Sequence, residues 1–114
     1  MVYLSATTSL AALEVLAHAG SPRHLTPYVA FRVTFAERLV HDLADLPDDW
    51  RHSPAPTSTK DMGTSWAAST ASAALRVPSV IVPWEFNYVV SVDHPDYSSL
   101  VVADPAPFQF DSRF

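Results

Sequence analysis

Residues 75–92 read LRVPSVIVPWEFNYVVSV, and they contain two runs rich in valine and isoleucine, residues 75–82 and 85–92. Branched and aromatic side chains fit the pleated surface of a strand, so each run is predicted to be a β-strand. Pro78 lies inside the first run, and a proline cannot donate a ladder hydrogen bond, which indicates an edge strand or a bulge there. The second half of the chain is therefore predicted to consist mainly of consecutive strands.

On either side of this stretch, helical and strand patterns are mixed along the chain. Further strands are predicted at residues 1–5, 28–35, 98–102 and 108–110. Helices are predicted at residues 8–19, 36–46 and 60–73, the last with Thr59 as its N-cap. In residues 28–35 apolar and polar side chains alternate, which is typical of a half-buried strand. The sequence thus predicts an α+β fold with mixed, mostly antiparallel sheets and a few short helices.

The composition bounds the size of the protein and its chemistry. The chain has 114 residues, which is the size of one domain, so residues 1–114 are predicted to form a single domain. There is no cysteine, which excludes disulfide scaffolds, thiolate nucleophiles and cysteine-based zinc sites. The two glycines, Gly20 and Gly63, are too few for the loops of Rossmann and P-loop nucleotide sites. No two histidines stand at a metal-binding spacing, so no metal is expected.

The charge balance argues against nucleic acid as a direct partner. Lys and Arg number 7 against 12 Asp and Glu, for a net charge of −5, and the basic residues are scattered singly along the sequence. Binding to a phosphate backbone needs a concentrated basic face instead. No apolar run approaches about 18 residues, so no membrane association is expected. No signal peptide is recognisable at the N-terminus, which predicts a cytoplasmic protein.

The helix predicted at residues 8–19 carries one carboxylate, Glu14, and no other charged residue if His18 is neutral. Leucine and alanine form an apolar stripe on this helix, and Glu14 lies at the edge of the stripe. A carboxylate beside an apolar stripe must find hydrogen-bond donors, and enzymes place such groups at reaction centres. The other interpretation is a pair between Glu14 and His18, four residues apart on a partly exposed helix. The residues alone leave both interpretations open.

A series of short motifs resembles, in order, the motifs of RES-domain proteins. Tyr3-Leu4-Ser5 followed by residues 10–18 (LAALEVLAH) is similar to the family's YLS…LAxLExLxH stretch. Further matches are Leu46-Pro47 with Trp50 (LPxxW), Gly63 with Trp66 (GxxW), residues 76–79 (RVPS), Asn87-Tyr88 (NY), residues 94–96 (HPD) and residues 110–113 (FDxR). Each motif is short, but together they span nearly the whole chain in the family's order. The chain is therefore identified as a member of this family.

The resemblance implies both a fold and a function. RES proteins have a fold similar to that of ADP-ribosyltransferases, and they are the toxins of bacterial type II toxin–antitoxin systems. Their partner is an Xre-type antitoxin with a DNA-binding helix-turn-helix, so a hetero-oligomer is expected. Their substrate is NAD, and no metal takes part. They cleave its nicotinamide–ribose bond by hydrolysis, by phosphorolysis or by ADP-ribosyl transfer to a protein.

The resemblance also assigns residues to this chemistry. The family's glutamate falls on Glu14, its serine on Ser79 and its pocket tyrosine on Tyr3. Cleavage of the bond passes through an oxocarbenium-like state, which a carboxylate bonded to a ribose hydroxyl stabilises, and Glu14 is expected to do this. Tyr3 would stack on the nicotinamide or supply a hydroxyl. Ser79 would hold the ribose or the nicotinamide amide, and Asn87 would assist. An arginine would clamp the pyrophosphate.

That arginine is the one departure from the family pattern. In the family it lies upstream of the YLS strand, in a segment missing from this sequence, which starts two residues before Tyr3. The sequence is therefore expected to be N-terminally truncated relative to the family. Three explanations are open: a start codon assigned too late, a natural truncation without activity, or another arginine that substitutes in space. The alternative function is a catalytically degenerate RES domain that acts only as an antitoxin-binding module.

Overall fold

The computed structural model describes residues 1–19, 27–43, 46, 48–51, 57–69, 71–111 and 113. The helices in this part of the chain are α1 (Thr8–Ala19) and α2 (Thr57–Ser69), with 3₁₀ helices at Glu37–Leu39 and Pro95–Ser99. The strands are β1 (Val2–Ser5), β2 (Tyr28–Ala30), β3 (Val33–Thr34), β4 (Val40–Asp42), β5 (Ala74–Pro78), β6 (Phe86–Val90), β7 (Val101–Val102) and β8 (Ala106–Phe108). The α+β prediction is confirmed, and so is the prediction of mostly antiparallel pairing.

The central sheet has four strands in the order β1-β6-β5-β4. Strand β6 pairs antiparallel with both β1 and β5, while β4 lies parallel to β5 at the other edge. The register places Asn87 of β6 opposite Ser5 of β1 on one side and opposite Val77 of β5 on the other. Opposed residues of neighbouring strands point to the same side of a sheet. Ser5, Asn87 and Val77 therefore share one face.

Helix α1 lies on this face of the sheet, because Asn87 bonds to Glu14 of the helix, and Leu10 of the same helix is only 1% exposed. Thr7 caps the helix, because its Oγ1 accepts a hydrogen bond from the Leu10 N–H at 3.1 Å. The other buried apolar residues are Leu39, Trp66, Ala73, Ala74, Leu75 and Val90. Residues four apart lie on the same side of a helix. The burial of Leu10 thus directs Glu14, one turn later, toward the same face of the sheet.

The single half-buried strand predicted at residues 28–35 is wrong. Strand β2 ends at Ala30 and β3 begins at Val33, and the two pair with different partners, β8 and β7. Val29 and Phe31, which the alternation places on a buried face, are 55% and 56% exposed. A period of two in the sequence does not show whether one partner strand runs along the whole segment. Here the change of partner divides the strand and leaves Val29 and Phe31 at the surface, while Val33 and Phe35 are half-buried.

The helix predicted at residues 36–46 is wrong as well. Among the described residues of this segment only Glu37–Leu39 is helical, as a single 3₁₀ turn, and β4 follows it directly. Strand β4 forms a parallel ladder with β5, and Arg76 of β5 donates from Nε and Nη2 to the Asp42 carboxylate. Leu39, Leu43 and Leu46 stand at a helical spacing, but such a spacing gives only a weak local preference for helix. The tertiary contacts of β4 outweigh it.

Helix α2 begins and ends earlier than the predicted helix at residues 60–73. Because it begins at Thr57, Thr59 lies within the helix and is not its N-cap. Near its end, the indole N–H of the buried Trp66 donates to Ser72 Oγ at 2.7 Å. This bond satisfies the one polar atom of a side chain that otherwise packs in the core.

Pro78 is neither on an edge strand nor at a bulge, because it is the last residue of the inner strand β5. The N–H of the next residue, Ser79, donates across to the carbonyl of Glu85 at 2.8 Å, toward β6. The ring nitrogen of Pro78 therefore faces the β4 side, where the ladder between β4 and β5 extends only to Arg76. The last residue of β5 can therefore be a proline, and the strand ends there.

Candidate active site

The carboxylate of Glu14 meets two of the predicted site residues at the sheet. Ser79 Oγ donates to Glu14 Oε1 at 2.8 Å, and Asn87 Nδ2 donates to the same oxygen at 2.7 Å. Both distances lie within the usual range for hydrogen bonds in proteins. The structure thus brings together Glu14, Ser79 and Asn87, and it supplies the donors that a carboxylate beside an apolar stripe requires.

The other interpretation of Glu14 was a side-chain pair with His18, and the structure does not show this pair. His18 Nδ1 donates instead to the main-chain carbonyl of Glu14, at 2.8 Å. This bond stays within the helix and does not involve the carboxylate. The Glu14 side chain is therefore directed to the sheet and not to its neighbour on the helix surface.

Ser5 of β1 orients the amide of Asn87. Its hydroxyl donates to Asn87 Oδ1 at 2.6 Å, across the pair of strands in which the two residues stand opposite each other. Because Oδ1 accepts from Ser5, the NH₂ end of the amide is directed at Glu14. Ser5 was not predicted as a site residue. Its only signal in the sequence is a hydroxyl at the end of an apolar strand, and the register that places it opposite Asn87 cannot be read from the sequence.

The hydroxyl of Ser79 uses its full hydrogen-bonding capacity within the protein. It donates once, to Glu14, and accepts from the N–H groups of Ile81 and Val82, both at 3.1 Å. A hydroxyl has one hydrogen and two lone pairs, so no bond is left for a ligand in this arrangement. Ser79 is also fully buried. In this structure it orients Glu14, while its expected contact with ribose or nicotinamide remains a prediction.

The two oxygens of Glu14 differ in their surroundings. Both donors approach Oε1, and within the described part of the chain no residue donates to Oε2. The residue is half-buried. Glu14 therefore has one oxygen fixed by the protein and one that can accept a hydrogen bond from a ligand. A charge held in place in this way needs no reorganisation when positive charge develops beside it.

Tyr3 lies on the same face of the sheet as Ser5 and Asn87. It precedes Ser5 by two positions in β1 and stands opposite Val89 of β6. Its side chain is 72% exposed, although most of the chain's aromatic residues are more deeply placed. A large exposed ring can stack on a planar ligand group. The structure places Tyr3 on the face of the sheet that carries Asn87 and shows no bond between Tyr3 and Glu14, so its stacking role remains a prediction.

The arginine nearest in sequence to the site, Arg76, does not belong to it. It stands opposite Tyr88 in the register, on the face of the sheet away from Asn87. It is bound to Asp42, with Nη2 to Oδ2 at 2.8 Å. This contact holds the pKa of Asp42 below its usual range and raises that of Arg76, to which a bond with Tyr88 also contributes. Among the described residues, no arginine contacts the Glu14 carboxylate.

Comparison with known proteins agrees with the motifs and the geometry. The model of the RES domain family matches residues 1–111. The chain belongs to the RES domain family. A protein named "Toxin Res" from Yersinia enterocolitica is 36% identical over 115 residues, which cover 98% of this chain and 76% of that protein. "Toxin Res" from Photorhabdus laumondii is 33% identical, over 98% of this chain and 74% of its own length. "Prs ADP-ribosylating toxin" from Sphingobium sp. is 31% identical, over 99% and 73%.

The family match confirms the resemblance that the motifs indicated. It also agrees with the ADP-ribosyltransferase-like fold expected for a RES domain. Within the described residues, no group of three histidines or acidic residues is arranged to hold a metal ion, and no helix is long and apolar enough to cross a membrane.

Proposed function

We propose that this RES domain is a toxin that consumes NAD by cleaving the bond between nicotinamide and ribose. The observation that supports this most strongly is the Glu14 carboxylate, with Oε1 held by Ser79 and Asn87 and Oε2 unbonded within the described residues. Two similar proteins are named as toxins of this family, and a third is named as an ADP-ribosylating toxin. The chemistry of the site and the names of the relatives thus point to the same class of reaction.

In the proposed reaction the nicotinamide leaves with the electron pair of its bond to ribose. The sugar carbon then develops the positive charge of an oxocarbenium-like state. Glu14 Oε2 accepts a hydrogen bond from a ribose hydroxyl, and its negative charge stabilises the sugar more strongly in the transition state than in bound NAD. Water, phosphate or a protein side chain then forms the new bond to the sugar carbon and loses a proton. The products are nicotinamide and ADP-ribose or its derivative.

Tyr3 and Asn87 have supporting roles in this proposal. The exposed ring of Tyr3 stacks on the nicotinamide, and the amide of Asn87 keeps the Glu14 carboxylate in a fixed orientation. Loss of one oriented electrostatic group from a site of this kind typically lowers kcat by about 10²–10³. Glu14→Gln removes the charge but keeps the shape, so we expect a loss of that size.

We further propose that an antitoxin of the Xre type covers part of the surface and that the toxin acts in the cytoplasm. The two small sheets support the first point, because their strands and the residue after β2 expose large apolar side chains. Val29 and Phe31 are 55% and 56% exposed, and Val101 and Val102 are 63% and 56% exposed. Exposed apolar side chains of this kind are a feature of surfaces that bind another protein.

One observation favours a second function, a RES domain that only binds its antitoxin. Among the described residues, no arginine or lysine contacts the Glu14 carboxylate or its two donors. A pyrophosphate bound beside that carboxylate needs a cation to offset two adjacent negative charges. Without one, the domain keeps its partner surface but binds NAD weakly.

Nicotinamide release distinguishes the two functions. Purified protein is incubated with NAD, with and without phosphate, and nicotinamide is quantified by chromatography. Glu37→Gln serves as the matched control, because Glu37 is exposed on a 3₁₀ helix and makes no bond to Glu14, Ser79 or Asn87. The toxin function predicts release that Glu14→Gln slows by about 10²–10³ and Glu37→Gln leaves unchanged. No release by any form, together with a stable complex on co-expression with an Xre-type antitoxin, would establish the binding module instead.

A further inference from the structure

We propose that Arg51 is a positioning residue, which holds the turn after β5 so that Ser79 is aimed at Glu14. Its guanidinium donates from Nε and Nη2 to the main-chain oxygen of Val80, at 3.3 and 3.0 Å. Val80 directly follows Ser79, although Arg51 is 29 residues away in the sequence. The consequence for catalysis depends on the proposed function, whereas the contact itself does not.

The peptide unit between Val80 and Ile81 connects Arg51 to the site. Its carbonyl accepts from Arg51, and its N–H donates to Ser79 Oγ at 3.1 Å. In a trans peptide these two groups point in opposite directions, so Arg51 lies behind the turn and Ser79 in front of it. A cation bound to the carbonyl polarises the peptide unit and strengthens its N–H as a donor. Arg51 therefore acts on Glu14 indirectly, through this peptide unit and the Ser79 hydroxyl.

The loop after Ser79 has little else to fix it. Val80 and Ile81 are 42% and 38% exposed, and Trp84 is 79% exposed, so burial contributes little to holding the loop. Its internal main-chain bonds are Ser79 N to Glu85 O at 2.8 Å and Glu85 N to Val82 O at 2.9 Å. The first joins the two ends of the loop at its base, and the second lies at the Glu85 end, so neither involves the Val80 carbonyl. Among the described residues, Arg51 is the residue outside the loop that bonds to the Val80 carbonyl, in addition to the bonds that Ile81 and Val82 donate to Ser79.

Arg51 is also available for this role. Within the described residues it has no carboxylate partner, in contrast to Arg76 and Arg113, which are paired with Asp42 and Asp111. Its other contact is with the neighbouring Trp50, whose ring centroid lies 6.0 Å from the guanidinium carbon. That contact orients the side chain without using its donors.

Nuclear magnetic resonance of the ¹⁵N-labelled protein tests the contact without any substrate. The amide signals of Ile81 and Val82 are compared in wild type, Arg51→Ala, Arg51→Lys and the control Arg38→Ala, whose side chain is exposed. We expect Arg51→Ala to shift both signals upfield and to speed their hydrogen exchange about tenfold, the effect of one lost hydrogen bond. Arg51→Lys should restore part of both effects, because a lysine can donate to the same carbonyl. Unchanged signals in Arg51→Ala and Arg51→Lys would overturn the proposal.

Kinetics then separate a positioning role from contact with the substrate. If Arg51 positions Ser79, Arg51→Ala lowers kcat of nicotinamide release about tenfold and leaves KM within about twofold. A raised KM with unchanged kcat would mean that Arg51 binds the substrate itself, which contradicts the positioning role. A wild-type protein without NAD cleavage would refute the proposed function only, because the amide signals decide the role of Arg51 independently.

Discussion

Replacement of Ser79 by alanine is the sharpest structural test of the site. Ser79 is fully buried and makes three hydrogen bonds through one oxygen. Because a buried polar group that loses its partner becomes costly, the substitution affects Glu14 and the two loop amides together. We expect the protein to fold but to lose a measurable part of its free energy of unfolding.

The magnitude follows from the three bonds. The bond donated to the Glu14 carboxylate contributes about 1.5–3 kcal/mol, and each bond from Ile81 or Val82 contributes about 1 kcal/mol. The N–H groups of Ile81 and Val82 belong to a partly exposed loop, so bonds to water offset part of the stabilisation that they lose. The expected loss is therefore about 3 kcal/mol. For a chain of this length each kcal/mol corresponds to roughly 4 °C, so Tm should fall by about 12 °C.

Urea and thermal unfolding followed by circular dichroism measure this loss. Ser98→Ala is the matched control, since Ser98 is exposed and its hydroxyl makes only a long bond, 3.4 Å, to the Pro95 carbonyl. We expect the control to stay within about 0.5 kcal/mol of wild type. A loss below about 1 kcal/mol in Ser79→Ala would refute the reasoning, because it would mean that the hydroxyl does not connect the helix, the loop and the carboxylate.

Two further substitutions test the elements that support the site. Asp42→Asn removes the partner of Arg76. Because that contact lowers the pKa of Asp42 in the folded state, its contribution to stability is present above about pH 3.9 and is lost as the pH falls through the folded-state pKa. The difference in free energy of unfolding between wild type and Asp42→Asn, measured in urea, should therefore shrink below about pH 4, while Asp104→Asn should show no such difference. Leu10→Ala should lower the free energy of unfolding by about 2–5 kcal/mol. Leu13→Ala should lower it by clearly less, because Leu13 is 39% exposed. Equal losses would mean that Leu10 does not anchor the helix.

Helix α1 could be predicted from the sequence, together with the one carboxylate that it carries. Alanine and leucine dominate residues 8–19, and the observed α1 has the same bounds. Glu14 was recognisable because it is a lone carboxylate beside an apolar stripe. The contacts that make it useful come from Ser79 and Asn87, 65 and 73 positions further along the chain. Only the resemblance to a family, and not the local pattern, pointed to those two residues.

Contacts set by strand pairing could not be predicted in the same way. Ser5 reaches Asn87 because of the register between β1 and β6. Arg51 reaches the Val80 carbonyl because the chain after β4 returns to the loop that follows β5. The incorrect helix at residues 36–46 has the same origin, since β4 exists through its ladder with β5. Local patterns report the preferences of a segment, whereas these contacts depend on which segments meet.

The central claim is that the Glu14 carboxylate stabilises the transition state of NAD cleavage. Its most direct test is kcat for nicotinamide release in wild type and Glu14→Gln, with the Kd for NAD measured by calorimetry on the same samples. The proposed mechanism predicts that kcat falls by about 10²–10³ while Kd changes only a few-fold, because the carboxylate acts mainly on the transition state. An unchanged kcat in Glu14→Gln would contradict it.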